Sequence, residues 1–218
     1  MVAASTQRFC AAVQSIGAGD GEALTGVIGT CSLRPRAMKP IKTIGHTNHP
    51  IERYVDLLKG GGVELLVDVR SVPYSRRFPQ FGREKLAKSL EAAGISYAWE
   101  GEALGGKSGG SYGAAATRAE FQHTLGRLIE RSADTIVCLM CAEKEPLDCH
   151  RTVLVSRRLA ERGAAIEHLL AGGGTRDHAE IEEGLLEKNA GGDLFDDRSR
   201  LLANAYDARE RAMKRGST

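Results

Sequence analysis

Short apolar runs alternate with segments of helical periodicity through the middle of the chain. The clearest run, residues 63–69 (VELLVDV), is typical of a strand that is buried on both faces, as in parallel sheets. Similar runs predict strands that end at about Gly45, Val69, Trp99, Met140 and Leu170. Helices between successive strands favour right-handed crossovers, so the pattern predicts an α/β fold with a mainly parallel sheet of about five strands and helices on both faces.

The residue pattern along the 218-residue chain changes at two places. Residues 1–40 have no sustained period and are interrupted by glycine and proline, which predicts an irregular N-terminal extension. Residues 41–188 contain all the predicted strands and form the expected α/β domain. Residues 189–218 are rich in charge and are predicted to form a helical tail.

Composition excludes several classes of protein. Hydrophobic residues make up 42% of the chain and charged residues 27%, values that argue against wholesale disorder or a fibre. The longest strongly apolar run, residues 135–142, is much shorter than the roughly 18 residues that cross a membrane. The first residues lack the basic start and apolar core of a signal peptide. We therefore expect a cytoplasmic protein with no membrane partner.

Most of the reactive side chains follow the carboxyl ends of the predicted strands. In a parallel sheet these ends meet at one edge, where α/β proteins bind ligands. The first strand leads to residues 46–50 (HTNHP), the second to residues 68–77 (DVRSVPYSRR), and the fourth to residues 141–151 (CAEKEPLDCHR). A functional pocket is therefore predicted at this edge of the sheet.

Two cysteines of the last loop are candidate nucleophiles or redox groups. Cys149 is expected in the first turn of a helix over about residues 147–162, with Asp148 as its N-cap. The helix dipole and Arg151 both favour a thiolate there. Cys141 leaves the fourth strand directly. The alternative is that both cysteines are small buried hydrophobic residues, and an odd total of five cysteines argues against a disulfide framework.

Two carboxylates and a histidine complete the predicted catalytic set. Glu143 and Asp68 are candidate general bases, although Asp68 could equally form a structural pair with Arg70. His46 could orient a substrate or a nucleophile, or could simply be a hydrogen-bonded loop residue. The candidate catalytic residues are Cys141, Cys149, Glu143, Asp68 and His46.

A metal site is an alternative use of the same loop. Cys141, Cys149 and His150, with His46 as a fourth candidate, offer the sulfur and nitrogen ligands that zinc and ferrous iron accept. The Cys-x7-Cys-His spacing is not that of a common zinc knuckle, so the sequence leaves this alternative open. Cys138, inside the strand, is expected only to pack.

Basic residues are dense after the second strand. Six of them lie between Arg70 and Lys88 against the single acid Glu84, and this density predicts an anion site, with a solvated basic loop as the alternative. The amides that open the helix after the fourth strand would add to this site. Three aromatic residues, Tyr74, Phe78 and Phe81, could stack a base. The candidate substrate-binding residues are Asn48, Arg70, Ser71, Arg76, Arg77, Gly105, Gly106, His150 and Arg151.

The chain resembles the family known as domain of unknown function 488. The resemblance covers about residues 41–178, and its blocks occur in the order found in that family. It implies a small α/β fold and no established reaction. The blocks are residues 43–48 (TIGHTN), residues 68–71 (DVRS) with Pro73 and residues 75–77 (SRR), Tyr97 with residues 104–106 (LGG), and residues 141–151.

Three functions fit these observations. The first is an enzyme that acts on an anionic substrate, a nucleotide or a nucleic-acid end. The second is a nucleotide or nucleic-acid binding module without chemistry, and the third is a metal-binding or redox-sensing protein. The glycine-rich residues 105–113 match neither a Walker loop nor a dinucleotide fingerprint, so ATP hydrolysis and NAD chemistry are not expected. The sequence does not decide the oligomeric state.

Overall fold

Six strands form a single sheet in the computed structural model of the protein, which describes residues 38–107, 110–189 and 197–215. Their order is β3-β2-β4-β1-β5-β6, and only β6 is antiparallel to its neighbour. The predicted mainly parallel α/β fold is therefore confirmed. The strands are β1 (Ile41–Gly45), β2 (Leu65–Asp68), β3 (Ser96–Trp99), β4 (Val137–Cys141), β5 (Ile166–Leu169) and β6 (Thr175–Asp177).

Eight α-helices connect or follow these strands within the described residues, and none of them is long and apolar enough to cross a membrane. The predicted irregular extension lies almost entirely outside the described residues, whereas the predicted helical tail is present as α8. The helices are α1 (Ile51–Gly60), α2 (Arg83–Ala92), α3 (Gly101–Leu104), α4 (Tyr112–Ala116), α5 (Ala119–Ser132), α6 (Arg157–Ala160), α7 (His178–Lys188) and α8 (Arg198–Arg215).

Alternate residues of the buried strands face opposite sides of the sheet. On β4, Cys138 and Met140 pack in the core with α1 and α2, whereas Leu139 and Cys141 pack in the core with α5 and α6. The two-residue period of a strand produces this division. It confirms that helices cover both faces, and it places Cys138 on the opposite side of the sheet from Cys141.

The prediction of an α-helix over residues 147–162 is wrong for the first half of that range. A 3-10 turn, Pro146–Asp148, is followed by a π-helical turn, Arg151–Ser156, and only then by α6. The Ser156 hydroxyl donates to the Arg151 carbonyl oxygen (2.8 Å), which supports the wider turn. Asp148 is not the N-cap, because its carboxylate pairs with Arg209.

The sheet order creates a crevice between β1 and β4. The chain leaves β1 through α1 toward β2 and leaves β4 toward β5, so the two connections cover opposite faces and run in opposite directions. Such a reversal in strand order opens a ligand site at the carboxyl ends. The two loops meet so closely that a Cβ atom at Gly45 would lie 1.9 Å from the Glu143 carbonyl oxygen.

A buried chain of hydrogen bonds joins the sheet to the last two helices. Thr43 donates to His168 Nδ1 (2.8 Å), and His168 Nε2 donates to His178 Nδ1 (3.0 Å). His178 Nε2 then donates to Tyr206 (3.1 Å), whose hydroxyl donates to Glu182 (3.1 Å). Each group donates once along this chain when both histidines are neutral. Protonating His178 in this arrangement would place two N–H donors face to face, at its Nδ1 and at His168 Nε2.

This buried chain of hydrogen bonds predicts a loss of stability in mild acid. Burial lowers the pKa of His178 to about 4, whereas an unfolded histidine titrates near 6.5. Between these values the unfolded chain binds more protons, so the free energy of unfolding falls as the pH falls. When the pH falls from 7.5 to 5, the free energy of unfolding of His178→Gln should decrease by about 2 kcal/mol less than that of the wild type. Urea unfolding at the two pH values measures both decreases. The exposed His123→Gln serves as control, and equal losses in His178→Gln and the wild type would contradict the expectation.

Candidate functional site

A cleft of about 1100 Å³ opens at the carboxyl ends of β1, β2 and β4. The loops that follow these three strands form most of its lining, and the end of α8 adds Met213 and Lys214. The structure brings ten of the predicted site residues together here: His46, Asn48, Arg70, Ser71, Arg77, Gly106, Cys141, Glu143, Cys149 and His150. Asp68, Arg76, Gly105 and Arg151 do not line the cleft.

Two thiols and an imidazole meet in the cleft lining. His150 Nδ1 lies 3.6 Å from Cys141 Sγ and 3.8 Å from Cys149 Sγ. His150 Nε2 donates to the Val69 carbonyl oxygen (2.9 Å), so in the neutral ring Nδ1 carries the lone pair. The Arg151 amide donates to Cys149 Sγ (3.4 Å) at the start of the π-helical turn. We call Cys141, Cys149 and His150 the thiol–imidazole cluster.

The cluster divides the charge unequally between its two thiols. Burial raises the pKa of Cys149, but the hydrogen bond from Cys141 and the charges of Arg151 and His150 outweigh burial and hold that pKa well below its usual value. The hydrogen bond to Cys149, together with burial, raises the pKa of Cys141 well above its usual value. Cys149 is therefore the more acidic thiol of the pair, and its negative charge in turn raises the pKa of His150 although burial opposes this.

Glu143 is a partly exposed residue of the cleft lining, beside the cluster. Partial burial raises its pKa, and the negative charge of Cys149 raises it further. A carboxyl group with a raised pKa takes up and releases protons more readily near neutral pH. The acid–base role of Glu143 stays a prediction, and the raised pKa is favourable to it.

Two glycines allow the backbone after α3 to pack against the site. A Cβ atom at Gly106 would lie 2.8 Å from Cγ of the His150 ring. At Gly105 a Cβ atom would lie 2.3 Å from the Gly101 carbonyl oxygen and 2.4 Å from Ser71 Oγ. Gly105 is thus required by packing next to the site, whereas Gly106 fixes the position of the imidazole itself.

Gly106→Ala is expected to displace the His150 ring and to destabilise the protein by about 1–3 kcal/mol, because the added methyl group overpacks the contact. Imidazole nitrogen shifts in NMR spectra and thermal unfolding measure the two effects. Gly126→Ala is the matched control, since a Cβ atom at this position of α5 would meet no atom within 4 Å beyond its own helix backbone and chain neighbours, and it should leave the His150 resonances unchanged. Unchanged resonances in Gly106→Ala would refute the contact.

The two alternatives for Asp68 are resolved by its hydrogen bonds. Asp68 Oδ2 accepts from Arg70 Nη2 (2.6 Å) and from the Tyr97 hydroxyl (2.9 Å). Asp68 Oδ1 accepts from Arg70 Nε (2.9 Å) and from the Arg70 amide (3.1 Å). The carboxylate is 0% exposed and has no free lone pair for a substrate proton. Asp68 is the structural partner of Arg70, so its assignment as a general base is wrong.

His46 is a buried neutral ring that touches Arg70. Its Nδ1 donates to the Thr47 carbonyl oxygen (2.9 Å), and its Nε2 lies 3.4 Å from Arg70 Nη1. Burial lowers the pKa of His46 to about 4. The ring stacks on Phe81 at 4.3 Å, which leaves Phe81 buried and corrects its assignment as a base-stacking residue. His46 therefore orients the cleft wall and does not supply a proton near neutral pH.

Arg151 lies behind the cleft and braces the loop after β4. Its side chain is 0% exposed; Nη1 donates to the Glu143 carbonyl oxygen (2.5 Å) and Nη2 to that of Lys144 (3.1 Å). Arg151 was expected to hold phosphate, and this expectation is corrected because the side chain is fully buried and directs two of its donors at main-chain carbonyls. Arg76 is exposed and does not line the cleft, so its predicted role in anion binding gains no support from the structure.

Other cations take the place of these arginines. Lys107, Lys144 and Lys214 line the cleft beside Arg77. Lys214 donates to Glu210 (2.6 Å) and to the Gly110 carbonyl oxygen, whereas Arg77, Lys107 and Lys144 have no ion-pair partner among the residues that the structure describes. Sequence reasoning missed all three lysines. Lys144 could have been found, because it lies within the block of residues 141–151.

Comparison with known proteins identifies one family. The model of the family described as Domain of unknown function DUF488 matches residues 50–158, which is half of the chain. No curated protein and no solved structure matches the chain. The matched range includes the whole thiol–imidazole cluster. It leaves out His46, Asn48 and the part of α8 that reaches the cleft.

Proposed function

The chain belongs to the DUF488 family, whose description names no reaction, and we propose from the site itself that this protein is an enzyme acting on an anionic, phosphate-bearing nucleotide or nucleic-acid substrate. One observation carries the proposal. The thiol–imidazole cluster lies in a cleft whose other charged lining residues are mostly cations. A reactive centre and a means of holding a negative charge thus share one cavity.

The cations support an anionic substrate. The cleft lining contains five cationic side chains and two carboxylates, Glu143 and Asp148. Asp148 is already paired with Arg209, and Arg70 is paired with Asp68. The charges left without a partner in the described part of the chain are therefore mainly positive, and a cleft lined by one sign of charge concentrates oppositely charged ligands.

An exposed aromatic ring supports the nucleotide class. Tyr74 is 64% exposed and lines the cleft in the loop after β2. Phe78, half-buried in the same loop, lies under the Arg77 guanidinium at 5.5 Å. Rings beside cations are the arrangement that stacks a base while its phosphate is held. The cleft volume of about 1100 Å³ is sufficient for a nucleotide.

The cluster and Glu143 have separate roles in this proposal. The cluster is the reacting centre, because Cys149 is the group most readily present as an anion. Glu143, which lines the cleft next to the cluster, is the group that moves a proton. Asp68 and Arg151 are positioning residues, since each holds a loop of the cleft without touching its lumen.

The test is to incubate the protein at low salt with a mixture of phosphorylated metabolites and short oligonucleotides and to identify retained and converted compounds by mass spectrometry. We expect the wild type to convert a compound that Cys149→Ala binds but does not convert. Lys144→Gln should bind it more weakly and still convert it at saturation.

Two results would overturn the proposal. Equal retention without conversion by the wild type and Cys149→Ala would identify a binding module. No retention of any phosphorylated compound at low salt would remove the anion site as well. Lys88→Gln, an exposed residue of α2 that does not line the cleft, is the control for loss of a positive charge.

A further inference from the structure

We propose that Cys141, Cys149 and His150 bind one divalent transition metal ion, zinc or ferrous iron, and leave one coordination position open to the cleft. This inference rests on the proposed function, because it concerns the reacting centre of the same site. The three ligand atoms lie within 4.8 Å of one another. Within the described residues no other three His, Cys, Asp or Glu side chains form such a group.

The distances between ligand atoms fit tetrahedral coordination. With bonds of about 2.3 Å to sulfur and 2.0–2.1 Å to nitrogen, a tetrahedral metal ion separates a sulfur from a nitrogen ligand by about 3.6 Å. The observed separations from His150 Nδ1 are 3.6 Å to Cys141 Sγ and 3.8 Å to Cys149 Sγ. Both sulfur–nitrogen separations therefore match a shared ion, and the two sulfur atoms lie within 4.8 Å of each other.

Hydrogen bonds behind the ligands orient them toward a common centre. His150 Nε2 donates to the Val69 carbonyl oxygen (2.9 Å), which directs the Nδ1 lone pair at the two sulfur atoms. A histidine that binds a metal commonly donates its other N–H in this way. The Arg151 amide donates to Cys149 Sγ (3.4 Å), and Gly106 lets the backbone fix the other side of the ring.

The donor set selects the class of metal. Two thiolates and a neutral imidazole suit zinc and ferrous iron, whereas magnesium and calcium prefer oxygen ligands. The charges of two thiolates and a divalent ion cancel. A cancelled charge suits this position, because both sulfur atoms lie in side chains that are nearly buried.

A fourth ligand from the protein is lacking among the described residues that meet at the cluster. His46 was the fourth candidate, but its ring nitrogens already face the Thr47 carbonyl oxygen and Arg70. All three members of the cluster line the cleft. Three protein ligands with one open position distinguish catalytic zinc sites from closed structural ones. An oxygen of the anionic substrate, or water, would take that position.

The decisive experiment measures metal in protein purified anaerobically without chelator, under reducing conditions. We expect about one zinc or iron ion per chain in the wild type and the loss of that ion in Cys141→Ala and Cys149→Ala. Cys138→Ala is the matched control, because Cys138 lies on the same strand but faces the other side of the sheet. Circular dichroism checks that each variant is folded.

A second measurement does not depend on the variants. Cobalt added to chelator-treated wild type should produce a thiolate-to-cobalt charge-transfer band. Removing the metal should speed the labelling of Cys141 and Cys149 by iodoacetamide but not that of Cys138. A folded wild type that binds neither zinc, iron nor cobalt, or equal metal content in Cys138→Ala and Cys149→Ala, would overturn the proposal. Conversion of a phosphorylated compound by the wild type but not by Cys149→Ala would persist in that event, which separates this failure from failure of the proposed function.

Discussion

Asp68→Ala is expected to lower the free energy of unfolding by about 3–5 kcal/mol, the largest loss anticipated for a single residue of this site. Arg70 would remain buried with its charge uncompensated, because its Nε and Nη2 atoms both donate to Asp68. The Tyr97 hydroxyl would lose its acceptor as well. Arg70 also contacts His46 and the Phe81 carbonyl oxygen, so its displacement would reach the wall of the cleft.

Urea unfolding of three variants tests this expectation. Glu100→Ala is the control for an ion pair, since Glu100 pairs with the half-exposed Arg127, and exposed pairs contribute less than about 1 kcal/mol. The double variant Asp68→Ala/Arg70→Met should recover part of the stability that Asp68→Ala loses, because the uncompensated charge is removed. Similar losses in Asp68→Ala and Glu100→Ala would show that Asp68 is not a buried partner of Arg70.

Arg151→Met is expected to cost about 3 kcal/mol and to loosen the loop that presents Cys149. Two charge-assisted hydrogen bonds, to the carbonyl oxygens of Glu143 and Lys144, would be lost, each contributing about 1.5–3 kcal/mol. The net loss of stability is smaller than the sum of these two contributions, because the substitution also removes a buried charge. Anion binding should weaken as well, since Lys144 would move.

Arg131→Met provides the comparison for Arg151→Met. Arg131 is exposed on α5, so its replacement should change stability by no more than about 0.5 kcal/mol. Thermal unfolding and the thermal shift given by phosphorylated ligands measure both properties. If Arg151→Met retained full stability but lost ligand binding, Arg151 would contact the ligand directly, contrary to the structure.

The strand pattern could be predicted because burial on both faces leaves a near-continuous apolar run. Residues 65–68 illustrate this, since all four are buried. β6 lacks that signal, because Thr175–Asp177 is short, polar and exposed. The π-helical turn was also unpredictable, since it depends on a hydrogen bond from Ser156 to Arg151 that no periodicity reveals.

The sequence predicted which residues gather at the sheet edge better than it predicted what each one contacts. Cys141, Cys149 and His150 belong to one loop, so their proximity followed from local spacing. The direction of an arginine depends on tertiary contacts, and Arg151 therefore turned inward to main-chain carbonyls. Lys214 reaches the cleft from the distant α8, and nothing in the local sequence indicates that position.

The central claim is that a cationic cleft delivers anions to the thiols of the cluster. Iodoacetate and iodoacetamide test it directly, because they alkylate thiols alike and differ in charge. Mass spectrometry measures the alkylation rates of Cys141 and Cys149 on chelator-treated protein, both native and unfolded in urea. In each state the iodoacetate rate is divided by the iodoacetamide rate, because both rates depend equally on the fraction of thiolate. We predict a ratio of iodoacetate to iodoacetamide about tenfold higher in the native protein at low salt, falling as salt screens the cleft. A native ratio no higher than the unfolded one would contradict the account.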